Sequence, residues 1–266
     1  MRLNIDNDIV GIIGENERAK SIYKYLKKRL NVIQMTSNDF DDIKDKKDIS
    51  FRIGILAGYG RILEGDRISF FNDHLLTCHG GMLPEYRGSS PMNWALVNGE
   101  QYFGLSVIKT RKIIDEGEIY EFARFDILEN HSIQDLHKIA HKHFPPLVFS
   151  SLLKIAYDVK PIKQIQFGKN YFPARDLNDA QCNFKKQAAR EVVNLFRAVR
   201  GAYHPPWFEI QGEVVKIKNA RVVSNFLGTP GKVYQIRNNE ILIMCKAEAV
   251  FITVDKPKLF KRYMEI

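Results

Sequence analysis

Short apolar runs alternate with amphipathic stretches of helical length over the first 160 residues. Residues 17–30 place Ala19, Ile22 and Leu26 on one helical face, and residues 132–157 form a second helical stretch that begins at the capping residue Ser132. The candidate strands are 9–14, 31–35, 51–57, 75–79, 104–109 and 118–125. Strands that alternate with helices are typical of βαβ units, which build parallel sheets. We therefore expect an α/β fold: a Rossmann-like, mostly parallel sheet with helices on both faces.

The pattern changes near residue 160. Residues 166–205 combine a weakly periodic linker with one amphipathic helix at 186–200. Beyond this point the chain consists of short β-prone runs separated by Gly and Asn-Asn turns, a spacing typical of small barrels. We predict an α/β domain over 1–165, the linker and helix over 166–205, and a small β-rich, OB-like barrel domain over 206–266.

Composition excludes several classes of protein. The cysteines Cys78, Cys182 and Cys245 are far apart and match no zinc spacing, so we predict neither a disulfide framework nor a metal site. No apolar run is long enough to span a membrane, and Asp6 and Asp8 interrupt the N-terminal stretch that a signal peptide would need. These features predict a cytoplasmic protein. The net charge of +9 favours anionic partners, although a solvated lysine-rich surface explains it equally well.

The first strand ends in G-I-I-G-E-N at residues 11–16, directly before the first helix. A dinucleotide-binding fingerprint needs three glycines in this turn and an acidic residue roughly 20 positions later. Neither feature is well matched, so the pattern favours a tight strand-to-helix turn.

Polar side chains gather at the end of the strand over 75–79. Thr77 and His79 are two residues apart, so they project from the same face of the sheet. His79 lies at the carboxyl end of the strand, where ligands bind in open α/β sheets. Asp115 follows in a Gly-containing turn between two strands, and His and Asp can work as an acid-base pair. Taken singly, each also fits a structural role, as a buried histidine or a turn aspartate.

The motifs around these residues resemble those of the formyltransferases that use 10-formyltetrahydrofolate. That family carries Asn-x-His-(Gly/Pro)-x-Leu-Leu-Pro followed by Asp-x-Gly; this chain has T-C-H-G-G-M-L-P at 77–84 and D-E-G at 115–117. Within the family, Y-R-G-S-S-P-M-N-W-A-L-V-N-G-E at 86–100 is most similar to UDP-4-amino-4-deoxy-L-arabinose formyltransferase and related nucleotide-sugar N-formyltransferases. The resemblance covers residues 50–160 well and the segment beyond 186 more weakly.

The resemblance implies a catalytic set. His79 matches the histidine that transfers protons and stabilises the oxyanion, and Asp115 matches the aspartate that orients it. Thr77 stands where the family has an asparagine that donates a hydrogen bond to the oxyanion, and losing one such donor typically lowers the rate about 100- to 1000-fold. We expect the Thr77 hydroxyl to take this role, directly or through water. There are two alternatives. Another residue donates this hydrogen bond, or the protein binds folate but has lost its catalytic site.

The resemblance also implies binding residues. 10-Formyltetrahydrofolate is the expected co-substrate, bound by the loop after the third strand and the loop that leads to Asp115. Its predicted contacts are Tyr59, Gly60, Arg61, Ile62, Leu63, Ile113, Ile114 and Asp115. The amine acceptor is expected to contact Gly81, Met82, Tyr86, Arg87, Asn93, Asn194, Arg197 and Tyr203.

We predict that the acceptor is a nucleotide-linked amino sugar, such as a UDP- or dTDP-linked 4-amino-deoxy sugar. Its product would be used to make surface glycans, such as lipopolysaccharide with its O-antigen or a glycan that contains a pseudaminic acid. Methionyl-tRNA formyltransferase and formyltetrahydrofolate deformylase are the enzymatic alternatives. The basic insertion that grips tRNA in the former is not evident, because residues 40–48 hold four Asp and three Lys. We expect no membrane or nucleic-acid partner, with a nucleic-acid module in the β domain as an alternative, and the resemblance favours a homodimer.

Overall fold

A six-stranded sheet organises the N-terminal part of the molecule. The computed structural model describes residues 7–43, 46–48, 51–63, 67–71, 74–165, 170–201 and 204–266. The strands of this sheet are β1 (Val10–Ile13), β2 (Val32–Met35), β3 (Ile53–Leu56), β4 (Leu75–His79), β6 (Tyr102–Lys109) and β7 (Ile119–Asp126), and a two-residue strand, β5 (Arg87–Gly88), lies between β4 and β6 in the chain. The six strands lie in the order β2-β1-β3-β4-β6-β7.

The first four strands of the sheet are parallel. β1 and β3 are buried at every position, as expected for strands covered on both faces. β1 pairs with β2 and β3, and β3 pairs with β4, all in parallel register. β6 runs antiparallel to β4 and to β7. The loop over 110–118 joins β6 to β7 without a crossover helix, and such a short connection is compatible only with antiparallel neighbours.

Helices connect these strands and continue into the C-terminal part. They are α1 (Glu17–Leu26), α2 (Ser37–Asp42), α3 (Pro91–Val97), α4 (Ile133–Ala156) and α5 (Ala189–Val199). Asn16 begins α1, because its side-chain oxygen accepts a hydrogen bond from the Ala19 N–H at 3.0 Å. Gly14 has a φ of +140°, and an added Cβ would lie 2.4 Å from the Ala57 carbonyl oxygen. The turn at residues 11–16 therefore needs glycine for close packing. No helix in the described ranges is long and apolar enough to cross a bilayer.

The second sheet is antiparallel and five-stranded. Its strands are β9 (Trp207–Ile210), β10 (Glu213–Val223), β11 (Val233–Arg237), β12 (Glu240–Met244) and β13 (Ala249–Val254), in the order β11-β12-β13-β10-β9. α5 packs its Val192 and Leu195 against buried strand residues such as Val215 and Ile252. The predicted fold class, α/β followed by a β-rich unit, is confirmed. Within the described residues no ladder joins β11 to β9, so the strands form an open sheet rather than a ring closed by hydrogen bonds.

The chain forms two compact units that are interleaved in sequence. The first comprises residues 1–91, 102–126 and 137–173, and the second comprises 92–101, 127–136 and 174–266. The second unit therefore takes α3 and the first turn of α4 from the middle of the chain. The predicted boundaries after residues 165 and 205 stay a prediction. Part of the predicted linker has regular structure, because β8 (Tyr171–Phe172) pairs in parallel with β5.

Candidate active site

His79 and Asp115 form a buried pair in the first unit. β4 ends at His79, and the β6–β7 loop brings Asp115 back to it, so that His79 Nδ1 lies 3.4 Å from Asp115 Oδ2. The two side chains are only 6% and 8% exposed. An acid-base pair sheltered in this way interacts more strongly than one in water.

Further hydrogen bonds orient the pair. His79 Nε2 lies 2.7 Å from the Tyr86 carbonyl oxygen, and Asp115 Oδ2 accepts a hydrogen bond from the Gly88 N–H at 2.9 Å. Both ring nitrogens of His79 therefore face oxygen atoms that can accept a hydrogen bond. The loop 80–88 thus holds both members of the pair through its backbone.

Gln164 holds the turn that carries Asp115. Asp115 has a φ of +56°, which a residue other than glycine adopts only at a cost in free energy. The Gln164 amide donates hydrogen bonds to the carbonyl oxygens of Asp115, at 2.8 Å, and Gly117, at 2.7 Å. Its own oxygen accepts from Arg87 Nη2 at 2.9 Å, and Arg87 Nη1 pairs with Glu116 at 3.1 Å. Sequence reasoning missed Gln164, because a single Gln that binds backbone carbonyls leaves no motif.

A cavity of about 360 Å³ lies beside Thr77 and Asp115. The Thr77 hydroxyl is 2.8 Å from the Thr110 hydroxyl, and either can donate to the other. Residues not predicted as contacts also line the cavity, namely Leu56, Ile68, Ile108, Thr110, Arg111 and Lys112. A mixture of apolar walls with a few polar groups is typical of small-molecule sites.

Most of the predicted folate residues line this cavity. They are Tyr59, Arg61, Ile62, Leu63, Ile114 and Asp115, whereas Gly60 and Ile113 are not among its lining residues. The Tyr59 hydroxyl and the Arg61 guanidinium both bind the Asp41 carboxylate. Burial and this hydrogen bond raise the pKa of Tyr59 to about 12, so the phenol stays neutral. Ile62 is 71% exposed, which leaves an apolar side chain open at the cavity.

The predicted acceptor residues fall into two groups, and Gly81, Met82, Tyr86 and Arg87 belong to the first unit. A Cβ on Gly81 would lie 2.7 Å from His79 Nε2, so glycine lets the loop pack against the ring. Tyr86 is buried and stacks on Phe172 with ring centroids 4.7 Å apart. Arg87 is also buried, and its guanidinium binds Gln164 and Glu116. Met82 packs its sulfur near Gly104, on the neighbouring strand β6.

Asn93, Asn194 and Arg197 belong to the second unit. Asn93 is buried and donates to the Ala198 carbonyl oxygen at 2.6 Å. Arg197 donates to the carbonyl oxygens of His131, at 2.6 Å, and Leu128, and to Asn194 Oδ1 at 3.1 Å. Tyr203 lies outside the described residues. The acceptor roles of these residues stay predictions.

Arg18 is a second residue that sequence reasoning missed. It lies in the first turn of α1, and its Nη1 donates to the Cys78 carbonyl oxygen, directly before His79, at 3.0 Å. Its guanidinium lies 4.8 Å from the centre of the Phe144 ring. Burial and then the Arg18 charge lower the pKa of the neighbouring His137 to about 4. The Arg18 guanidinium therefore supports the carboxyl end of β4 through the backbone of Cys78.

Within the described residues, the cysteines and the metal-ligating residue types do not meet what thiol or metal chemistry requires. All three cysteines are free and buried, and burial raises the pKa of each to about 12. No group of three His, Cys, Asp or Glu side chains suited to a metal ion occurs in the part of the chain that the structure describes.

Comparison with protein families decides the assignment. A family described as "Formyl transferase" matches residues 8–149, and one described as "Formyl transferase, C-terminal domain" matches residues 175–261. This chain belongs to the formyl transferase family. Membership of the family confirms the enzyme class and the co-substrate that the sequence predicted. The protein is a formyltransferase, and formyl-tetrahydrofolate is its formyl donor.

Known formyltransferases resemble the chain in sequence and in fold. It is 28% identical over 236 residues to a methionyl-tRNA formyltransferase of Caldanaerobacter subterraneus subsp. tengcongensis, covering 85% of this chain and 74% of the relative. An N-formyltransferase of Helicobacter canadensis, solved with folinic acid and dTDP-3-aminofucose, aligns with a TM-score of 0.73 at 19% identity, over 92% of this chain and 98% of that one. HypX of Aquifex aeolicus with tetrahydrofolic acid aligns with a TM-score of 0.67 at 17% identity; the chain spans 43% of its length.

Proposed function

We propose that this formyltransferase moves the formyl group of 10-formyltetrahydrofolate to the primary amine of a nucleotide-linked amino sugar. The observation that carries the chemistry is the buried His79–Asp115 pair beside a cavity sized for a folate head group. Thr77 and Asp115 line the same cavity as most of the residues predicted to contact the folate, so a formyl group bound there would lie next to these two side chains.

The proposed reaction begins with loss of a proton from the acceptor ammonium. The Asp115 carboxylate takes this proton, and the free amine attacks the formyl carbon. The carbonyl oxygen becomes an oxyanion, which His79 and the Thr77 hydroxyl stabilise. The oxyanion then re-forms the carbonyl group as the C–N bond to the folate breaks. The attacking nitrogen loses its second proton, the departing folate nitrogen gains one, and the formamide and tetrahydrofolate are released.

Two features support a sugar as the acceptor. The alignment with the Helicobacter canadensis enzyme runs almost end to end in both chains. The segment between β2 and β3 holds the short helix α2, whose sequence S-N-D-F-D-D is acidic. A tRNA-binding insertion at this position would need basic residues for the phosphates.

Methionyl-tRNA is the second candidate acceptor. Its support is the sequence comparison, in which a methionyl-tRNA formyltransferase is 28% identical over 85% of the chain. A cytoplasmic location, a homodimer and a role in surface-glycan synthesis are part of the sugar proposal.

The decisive experiment offers both acceptors in parallel. The protein is mixed with 10-formyltetrahydrofolate and either a panel of UDP- and dTDP-linked amino sugars or methionyl-tRNA, and formylated products are detected by mass spectrometry. His79→Ala serves as the inactive control. Formylation of one sugar but not of methionyl-tRNA supports the proposal, and the reverse result replaces it with the second candidate.

A further inference from the structure

The Asp41 carboxylate, on helix α2, binds two side chains of the cavity wall. Its Oδ1 accepts a hydrogen bond from the Tyr59 hydroxyl, and its Oδ2 forms an ion pair with the Arg61 guanidinium. Arg61 Nη2 also donates to Asn38 Oδ1, on the same helix, at 2.5 Å. Tyr59 and Arg61 line the cavity, whereas no residue of α2 is among its lining residues. Asp41 therefore acts on the cavity only through the two side chains that it holds.

The loop over residues 58–63 depends on these side-chain contacts. In the ranges that the structure describes, no backbone hydrogen bond connects this loop to another segment. A Cβ on Gly60 would meet no atom within 4 Å, so the middle of the loop has open space around it. The Tyr59 ring packs edge-on against Phe40 of α2, with ring centroids 6.0 Å apart. The contacts that fix the wall of the cavity thus come from α2.

The helix α2 is itself firmly anchored. Thr36 and Asp39 form a capping box at its first turn. Phe40 is completely buried, and the Arg67 guanidinium donates to the carbonyl oxygens of Phe40, at 2.6 Å, and Asp41. A helix held at both ends keeps the Asp41 carboxylate in one place, so this carboxylate can serve as a fixed point for the loop.

We propose that Asp41 is a positioning residue of the folate site: it holds Tyr59 and Arg61 in the conformation that receives the folate before the folate binds. This inference rests on the proposed placement of the folate in the cavity. Without the carboxylate, only a fraction of the molecules would keep the loop in this conformation, and the dissociation constant rises in inverse proportion to that fraction. His79 and Asp115 are oriented by other segments, so kcat at saturating folate should not change.

Direct binding of 5-formyltetrahydrofolate to the intact protein tests the inference without any acceptor. Asp41→Asn keeps the size of the side chain but removes its charge, and should raise the dissociation constant about three- to thirtyfold. Tyr59→Phe removes only the hydroxyl, and should raise it about two- to tenfold. Asp42→Asn, which removes an exposed carboxylate from the next position of α2, is the matched control and should bind like wild type. An unchanged dissociation constant in Asp41→Asn overturns the inference.

A double variant separates positioning from a general loss of stability. Asp41→Asn and Tyr59→Phe disturb the same hydrogen bond, so their combined effect on the dissociation constant should be smaller than the product of the single effects. Effects that simply multiply overturn the inference, because Asp41 would then not act through Tyr59. Once an acceptor is known, kcat of Asp41→Asn at saturating folate should stay within about twofold of wild type, and a larger fall contradicts a role in binding alone.

One further variant tests the placement of the folate by itself. Ile62→Asp adds a charge at an exposed position of the cavity wall and should weaken the binding of 5-formyltetrahydrofolate. If this variant binds like wild type, the folate lies elsewhere and the inference falls with its placement. If Ile62→Asp weakens binding and Asp41→Asn does not, the placement stands and only the positioning role of Asp41 is refuted.

Discussion

Gln164 offers a sharp test of how the catalytic aspartate is positioned. Gln164→Glu keeps the shape of the side chain and an oxygen for Arg87, but it removes both N–H donors from the carbonyl oxygens of Asp115 and Gly117. A net hydrogen bond contributes about 0.5–1.5 kcal/mol, so the turn loses about 1–3 kcal/mol of support. Asp115 has a positive φ, which itself costs about 1–2 kcal/mol. The turn should then relax towards conformations in which Asp115 no longer faces His79.

The expected effect is a fall in kcat. A loss of 1–3 kcal/mol corresponds to a fall in kcat of about fivefold to 160-fold. Initial rates of tetrahydrofolate release give kcat and both KM values, with thermal unfolding measured on the same samples. Lys163→Ala, at the exposed neighbouring position, is the control. A wild-type kcat in Gln164→Glu would refute the reasoning, because the turn would then be held by other contacts.

Three further predictions concern the same unit. Thr77→Val should lower kcat about 100-fold or more while Thr77→Ser stays active, and equal rates in the two variants would assign the oxyanion donor elsewhere. Gly81→Ala should lower kcat at least about tenfold, because the new Cβ would lie 2.7 Å from His79 Nε2 and would push the ring out of place. A variant with the kcat and the pH–rate profile of wild type would contradict this prediction. In the folded protein the pKa of His137 is about 4, against an ordinary value of 6.5. Between pH 4 and pH 6.5 the side chain is therefore neutral in the native protein, whereas the unfolded chain binds an extra proton. The free energy of unfolding should therefore fall as pH drops from 6.5 to 4, and urea denaturation of His137→Gln should show a weaker fall.

The sequence predicted the α/β class because β1, β3 and β4 are short apolar runs whose neighbours have helical periodicity. It also located His79 and Asp115, since local motifs mark both. It could not foresee that β6 and β7 pair antiparallel, because periodicity defines a strand but not its direction. The regular spacing of the C-terminal strands also does not tell whether β9 and β11, the edge strands of the second sheet, pair with each other.

The positions of the polar groups around the site were harder to predict. Arg87 was expected to contact the acceptor because it lies in the motif loop, whereas its buried guanidinium binds Gln164 and Glu116. Gln164 is 49 residues from Asp115 in the chain and contacts only its backbone there. Such contacts depend on tertiary structure and leave no trace in the identity of the neighbouring residues. Arg18 supports the carbonyl before His79 in the same way.

The interleaved units affect how the chain can fold as it is synthesised. In the second unit the Asn93 amide binds the Ala198 carbonyl oxygen, and the two residues are 105 positions apart. At ribosomal rates of about 5–20 residues per second, Asn93 emerges roughly 5 to 20 seconds before its partner. During this interval the buried residues of α3, such as Met92 and Leu96, lack the α5 helix of their own unit. During synthesis, the apolar helix α3 therefore lies between two stretches of the first unit before the rest of its own unit has been made.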